Sequence, residues 1–289
     1  MTIKFHIVDV FSKGRYSGNQ LAVFENARHL STEEMQKIAK EVNFSETTFI
    51  LDYKERDGAW DVRIFTPTEE VPFAGHPTLG TAHIIRQHLL EENVKNMTLR
   101  YKIGSISVSF EEDGKVLMLQ NEPTFGATIE KEEAAAVLNI GTEELCDTYP
   151  VQEVSTGLPV IIAPIKTLQT VKNIVVNERA YCEMIKDREA KAIMVFCPET
   201  VEGNTLHARD FCSYYGVPED PATGSANGCL GAYCVYHNYF GESSISMTVE
   251  QGYEIGRPSL LFVKVKKDEN FHIEVGGYVE HIASGAWNV

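Results

Sequence analysis

The sequence predicts an α+β chain of two similar lobes related by a pseudo-twofold, each a central helix wrapped by a curled, mostly antiparallel sheet. Three observations predict it: features that recur in the same order, two very apolar helices that each follow a glycine-bearing loop, and short strands flanking both. In the first half, Gly18-Asn19-Gln20-Leu21-Ala22-Val23-Phe24 is a glycine turn entering an apolar strand. Arg63-Ile64-Phe65 and then Val71-Pro72-Phe73-Ala74-Gly75-His76-Pro77-Thr78-Leu79-Gly80-Thr81-Ala82 follow it. In the second half, Thr156-Gly157-Leu158-Pro159-Val160-Ile161-Ile162 is followed by Arg209-Asp210-Phe211 and by Val217-Pro218-Glu219-Asp220-Pro221-Ala222-Thr223-Gly224-Ser225-Ala226-Asn227-Gly228-Cys229-Leu230-Gly231-Ala232. Gly18 to Gly75 spans 57 residues and Gly157 to Gly224 spans 67, so the second copy has room for a longer loop or helix.

Each element has a local reason. Thr2 to Val10 reads as a first strand. Ser31-Thr32-Glu33-Glu34 is close to a capping box, and Met35, Ile38, Ala39 and Val42 follow at helical spacing. Thr47 to Tyr53 and Trp60 to Phe65 read as strands about a turn at Asp57-Gly58, and Pro77 to Leu90 as an apolar helix. Met97 to Phe110 reads as strands broken at Gly104, and Asp113-Gly114 turns into Lys115 to Gln120. In the second copy Ala180 to Ile185 and Ala226 to His237 read as helices. Ala192 to Phe196, Ile245 to Glu250 and Leu260 to Val265 read as strands. The first lobe is expected over 1–121, with about 279–289 a candidate to return to it, and the second over 122–278.

Composition restricts the function. The 289 residues are 43% apolar and 23% charged, as in ordinary globular chains, and carry a formal net charge of −15. Such a surface repels nucleic acid and anionic lipid, so neither is an expected partner. A small anionic substrate would need a local positive pocket. No basic segment followed by an apolar core opens the chain, and no apolar run is long enough to span a bilayer, so a cytoplasmic location is the expectation. The six cysteines (Cys146, Cys182, Cys197, Cys212, Cys229 and Cys234) form no CxxC pair and read as reduced core thiols.

Both apolar helices begin just after a glycine-bearing loop, where free N–H groups and the helix dipole favour an anion without any Lys or Arg. The plain alternative is that Gly75 and Gly224 only make tight turns. Glu46 stands at a helix-to-strand junction beside an apolar run. Desolvation there would raise a carboxyl from about 4.3 toward neutrality, as a general acid–base group requires; a solvated loop carboxylate is the alternative. His76 and Asp220 precede the two helices, and Ser225 lies in the first turn of the second. His76 is a candidate to exchange a proton with substrate, and Asp220 to orient His76 or a substrate amino group. Ser225 alternatively bonds the free N–H groups, and Asp220-Pro221 starts a turn. No P-loop, HExxH or GxGxxG is present. The serine of Gly224-Ser225-Ala226-Asn227-Gly228 follows its glycine directly, so the hydrolase elbow fails. His76, His83 and His88 share a region without a carboxylate partner pattern, and no metal site is expected there.

Gly18 to Phe24, Ser45-Glu46-Thr47-Thr48-Phe49, Phe73 to Gly80, Glu219 to Gly228, and Gln251-Gly252 through Gly256-Arg257-Pro258-Ser259 together resemble the phenazine-biosynthesis PhzF-like family, nearly end to end. The resemblance implies a diaminopimelate-epimerase-like fold, a homodimer, and a cofactor-free isomerase site in the cleft between the lobes. It carries the family's catalytic glutamate onto Glu46 and its supporting histidine, aspartate and serine onto His76, Asp220 and Ser225. Asn19 and Gly75 match cleft-lining positions, and Pro77, Thr223 and Gly224 are grouped with them as substrate-binding. The similar epimerases place a cysteine in each of the two loops. Here Ala74 and Thr223 stand at those places, which argues against two-thiol inversion and for a single carboxylate that shuttles a proton on a small cyclic or unsaturated carboxylate. The alternatives are an epimerase-like enzyme working with other bases and a non-catalytic small-molecule binding scaffold.

Overall fold

The computed structural model describes residues 2–72, 74–92 and 94–289; Phe73 of the loop motif lies outside the described residues. The first elements are β1 (Thr2–Val10), β2 (Asn19–Phe24), α1 (Thr32–Val42), β3 (Glu46–Ile50), β4 (Trp60–Phe65), β5 (Glu70–Val71) and α2 (Gly75–Ile84). Then come β6 (Asn96–Tyr101), β7 (Gly104–Phe110), β8 (Val116–Leu119), β9 (Thr124–Ile129), α3 (Lys131–Leu138), β10 (Val151–Ser155) and β11 (Pro159–Pro164). The chain continues through α4 (Leu168–Asn173), α5 (Glu178–Ile185), β12 (Ala192–Cys197), β13 (Leu206–Cys212), β14 (Val217–Asp220) and α6 (Gly224–Tyr236). It closes with β15 (Ser244–Gln251), β16 (Ser259–Lys267), β17 (Phe271–Gly277) and β18 (Val279–Asn288). Two compact units result, one of Met1–Leu119 with Gly276–Val289 and one of Gln120–Val275.

In the first unit the strands pair in the order β18-β1-β2-β3-β4-β6-β7-β8, with β5 also on β4. Of these pairs, β2–β3 and β4–β6 are parallel. Parallel neighbours need a crossover, and each crossover here carries a helix, α1 in the first and α2 in the second. α2 packs against β1, β2, β3, β6, β7, β8 and β18, so the sheet curls about it. Surrounded in this way, it buries nine of its ten residues and needs no polar stripe. Gly80 makes the approach possible, because a Cβ there would lie 2.6 Å from Leu21 Cδ2.

α1 covers the other face, where Met35, Ile38 and Ala39 meet Phe24, Phe49 and Phe65. Its start is a full capping box: Glu34 N donates to Ser31 Oγ at 3.2 Å, and Ser31 N to the Glu34 carboxylate at 2.7 Å. Ser31→Ala is expected to lower the unfolding free energy by about 1 kcal/mol, read as an earlier urea midpoint at unchanged slope.

The second unit has the same ladder. Its strands pair in the order β9-β10-β11-β12-β13-β15-β16, with β14 also on β13. The parallel pairs are β11–β12 and β13–β15. α4 and α5 fill the first crossover and α6, buried over most of its length, the second. The repeated Arg-x-Phe also does the same thing twice. Arg63 forks onto Glu70 at 2.8 and 2.7 Å, and Arg209 onto Glu219 at 3.0 and 2.7 Å. Each guanidinium also lies over the phenylalanine two residues on, Phe65 or Phe211.

The structure departs from expectation locally. The strand expected through Tyr53 ends at Ile50. The helix expected through Leu90 turns π-helical over Ile85–Leu89. All six cysteines are free, but Cys182 is exposed and Cys146 half-buried, so only four are core thiols. An amphipathic helix such as α5 has an outward face, and Cys182 falls on it. No helix among the described residues is long and apolar enough to cross a membrane.

Candidate active site

In the first unit the expected residues assemble at the start of α2. Glu46 opens β3 and pairs with Leu21 in the parallel ladder, which sets it beside the end of β2 that carries Asn19. Ser45 Oγ donates to Asn19 Oδ1 at 3.4 Å. His76 sits in the first turn of α2, and its Nε2 lies 3.4 Å from Glu46 Oε2. Both side chains are largely enclosed, 6% exposed for His76 and 19% for Glu46. Burial pushes the His76 pKa down to about 3, with the Gln20 main chain opposing that shift through a hydrogen bond to the ring. His76 is therefore a neutral imidazole at neutral pH, and its contact with Glu46 is not an ion pair. Gly75, His76 and Pro77 are all buried, and Ala74 at the N-cap makes no side-chain cap. The start of α2 therefore carries no side-chain cap from Ala74, and its first turn holds His76 against Glu46.

In the second unit the residues before α6 form a tight hydrogen-bonded loop. Thr223 Oγ1 donates to Asp220 Oδ2 at 2.5 Å. Gln251, fully buried, accepts from Asn227 Nδ2 at 2.8 Å and Thr223 N at 3.2 Å. Its Nε2 donates to Asp220 O at 2.8 Å and to Thr223 Oγ1 at 3.1 Å. The next residue, Gly252 (φ +77°), runs so close that a Cβ would lie 2.6 Å from Pro221 O. The N-cap of α6 is Thr223, so Ser225, half-buried in the first turn, does not take that place.

A family model described as phenazine biosynthesis-like protein, PhzC-PhzF, matches residues 8–283. The chain belongs to this family. It is 38% identical over 280 residues to an uncharacterized isomerase of Clostridium acetobutylicum, covering 93% of this chain and 91% of that protein. It is 34% identical over 277 residues to the trans-2,3-dihydro-3-hydroxyanthranilate isomerase of Pseudomonas chlororaphis, covering 94% of each. The crystal structure of the Bacillus anthracis PhzF-family protein superposes with a TM-score of 0.91 at 30% identity over 100% of both chains. The α+β fold is thus that of the PhzF proteins, and the chain is a PhzF-type isomerase by descent.

Within this PhzF-type chain, sequence reasoning passed over two residues of the second unit. Gln251 holds the loop, and the signal was its position before a glycine that must pack closely. Asp210 is the second. The first unit pairs Ile64 with Val71 across β4 and β5; the second pairs Asp210 with Asp220 at the corresponding place across β13 and β14. An apolar pair in one copy is a carboxyl pair in the other. Asp210 is 1% exposed and its Oδ1 is buried without a hydrogen-bond partner. Burial first, and then the charge of Asp220, pushes its pKa up to about 7, against a hydrogen bond from Thr223. Asp210 thus takes up a proton near neutrality, as a buried carboxyl beside another acid does.

The histidines also group differently from expectation. His76 is committed to Glu46. Among the described residues, the ligand-bearing side chains that converge are His6, His88 and His281.

Proposed function

We propose that the chain catalyses a cofactor-independent proton shift on a small cyclic or unsaturated carboxylate, with Glu46 as the general acid–base group. The observation that supports this most is the 3.4 Å approach of Glu46 Oε2 to the neutral Nε2 of His76 in an enclosed place at a helix N-terminus. Ionised Glu46 removes a C–H proton acidified by an adjacent π-system and returns it to another carbon on the same face. His76 stays uncharged and gives its one ring proton to the Gln20 main chain, so its Nε2 faces Glu46 as an acceptor and favours the protonated carboxyl, the state Glu46 holds once it has taken the substrate proton. The N–H groups at the start of α2 supply positive potential for the substrate carboxylate. Asn19, Gly75 and Pro77 position the substrate beside Glu46, and Asp220, Thr223, Gly224 and Ser225 are the substrate-contacting candidates that the second unit contributes. The ring-bearing dihydro-hydroxyanthranilate named for the Pseudomonas relative is one member of the proposed class. Homodimerisation belongs to the same reading and is checked by sedimentation.

The test is hydrogen exchange in D2O with a panel of cyclic, unsaturated and amino acid carboxylates. The expected result is deuterium at two carbons of one substrate, with no inversion. A second reading, a two-base epimerase, is favoured by the Asp210–Asp220 pair, which offers another proton-holding group. Inversion at a single exchanging carbon would replace the first reading with that one.

A further inference from the structure

We propose that His6, His88 and His281 form a binding site for a divalent transition-metal ion of the zinc class. All three belong to the first unit, and their ligating nitrogens lie within 4.8 Å of one another. His6 Nδ1 and His281 Nε2 are 3.2 Å apart. Two ligands of a tetrahedral zinc ion, each about 2.0–2.1 Å from the metal, stand roughly 3.3–3.4 Å apart. The His88 ring lies over that of His6 with centroids 4.4 Å apart, and being exposed it needs a swing of only roughly 1–2 Å to reach ligand spacing.

The surroundings are those a metal-binding imidazole uses. His6 Nε2 is 2.7 Å from Glu25 Oε1, and Glu25 is 2% exposed. Glu25 also takes Lys4 Nζ at 3.1 Å, and these partners hold its pKa below the usual carboxylate range despite its burial. An ionised Glu25 can only accept, so His6 Nε2 donates to it and Nδ1 is the nitrogen turned toward His281. Carboxylate–imidazole–metal relays have this arrangement. The charge of Lys4 opposes a cation there, and Glu25 and Glu280 favour one.

Two irregularities of the backbone meet at this cluster. The β1–β18 ladder slips between Ile7 and Val8, so that Val8 faces His281 while Ile7 faces Ala283. Such a bulge re-aims a side chain. The π-helical turn Ile85–Leu89 carries His88, and π-turns recur at functional positions. The site lies past the far end of α2 from His76, roughly 15 Å along the helix axis. A bound ion would cross-link β1, β18 and the end of α2.

The test uses full-length protein with Cys182→Ser, which removes the exposed thiol, stripped with EDTA and dialysed against Zn2+ or Co2+. We expect one equivalent per chain, a tetrahedral Co2+ absorption spectrum without sulfur charge transfer, and a metal-dependent rise in Tm. His88→Ala and His281→Ala should each weaken binding at least about tenfold and abolish the Tm rise, whereas His272→Ala should not. His88 is exposed, so His88→Ala keeps the test valid even if His281→Ala fails to fold. Absence of stoichiometric binding, or binding unchanged in His88→Ala, overturns the proposal. Because Glu46 and His76 lie at the other end of the helix, proton-shift activity should survive in His88→Ala.

Discussion

Glu46→Gln is expected to lower kcat by about 10²–10⁴-fold while leaving the circular dichroism and the unfolding midpoint unchanged. The amide has the volume and reach of the carboxyl and accepts the same contacts, but it can neither remove a proton nor give one back. The loss should therefore appear in kcat with KM little changed, which separates a proton-transfer role from a binding role. Glu46→Asp keeps the chemistry but withdraws the carboxyl by roughly 1.5 Å, and it should fall between parent and Gln variant because proton transfer depends steeply on position. His76→Asn should impair turnover less than Glu46→Gln, since it removes a neighbour of the acid–base group and not the group itself. A Gln variant that turns over at the parent rate would end the assignment of Glu46.

The parts of this chain that follow from local chemistry were legible in its sequence. The Ser31 cap, the Asp57-Gly58 turn (both residues at positive φ), the two largely apolar helices and the recurrence of Arg-x-Phe each depend on residues close together. The return of the chain's end to the first unit is only a candidate in the sequence, because the pairing that fixes it, the β1–β18 ladder, joins the two ends of the chain. What stayed hidden depends on register and bulges. His6, His88 and His281 are separated by most of the chain, and a slip in one ladder together with one π-turn brings them together. Sequence reasoning grouped His76, His83 and His88 because they are near in number. Asp210 was in view as the middle of Arg-Asp-Phe, but its meaning required knowing that Asp220 is its cross-strand neighbour, and the ladder shifts one residue further on, between Phe211 and Cys212. The duplication contained the clue: where one copy has isoleucine facing valine, a carboxyl facing a carboxyl has a large desolvation cost and calls for a reason.

That cost gives a prediction with a definite sign. The Asp210 carboxyl has an ordinary pKa of 3.8 in the unfolded chain and about 7 in the folded one, because burial and the charge of Asp220 disfavour its ionised form. Between those values the folded state binds more protons than the unfolded state, so stability falls as pH rises through the window. Below the ordinary value of 3.8 the group contributes no penalty, and above about pH 7 the penalty is complete. Asp210→Asn has the shape of the protonated acid and no charge to desolvate. The variant should stay close to the parent in urea unfolding near pH 4 and exceed it by ~2–4 kcal/mol at pH 8.5, given about 1.4 kcal/mol for each pKa unit. The difference between the two proteins is the quantity to follow, because buried His76 makes both less stable as the pH falls from 6.5 toward about 3. If Asp210→Asn instead lowered stability equally at both pH values, Asp210 would be an ionised acceptor held by its neighbours, and the carboxyl pair would hold no proton at neutral pH. If the expected divergence is found, the second unit carries a protonated acid beside Asp220 near neutral pH.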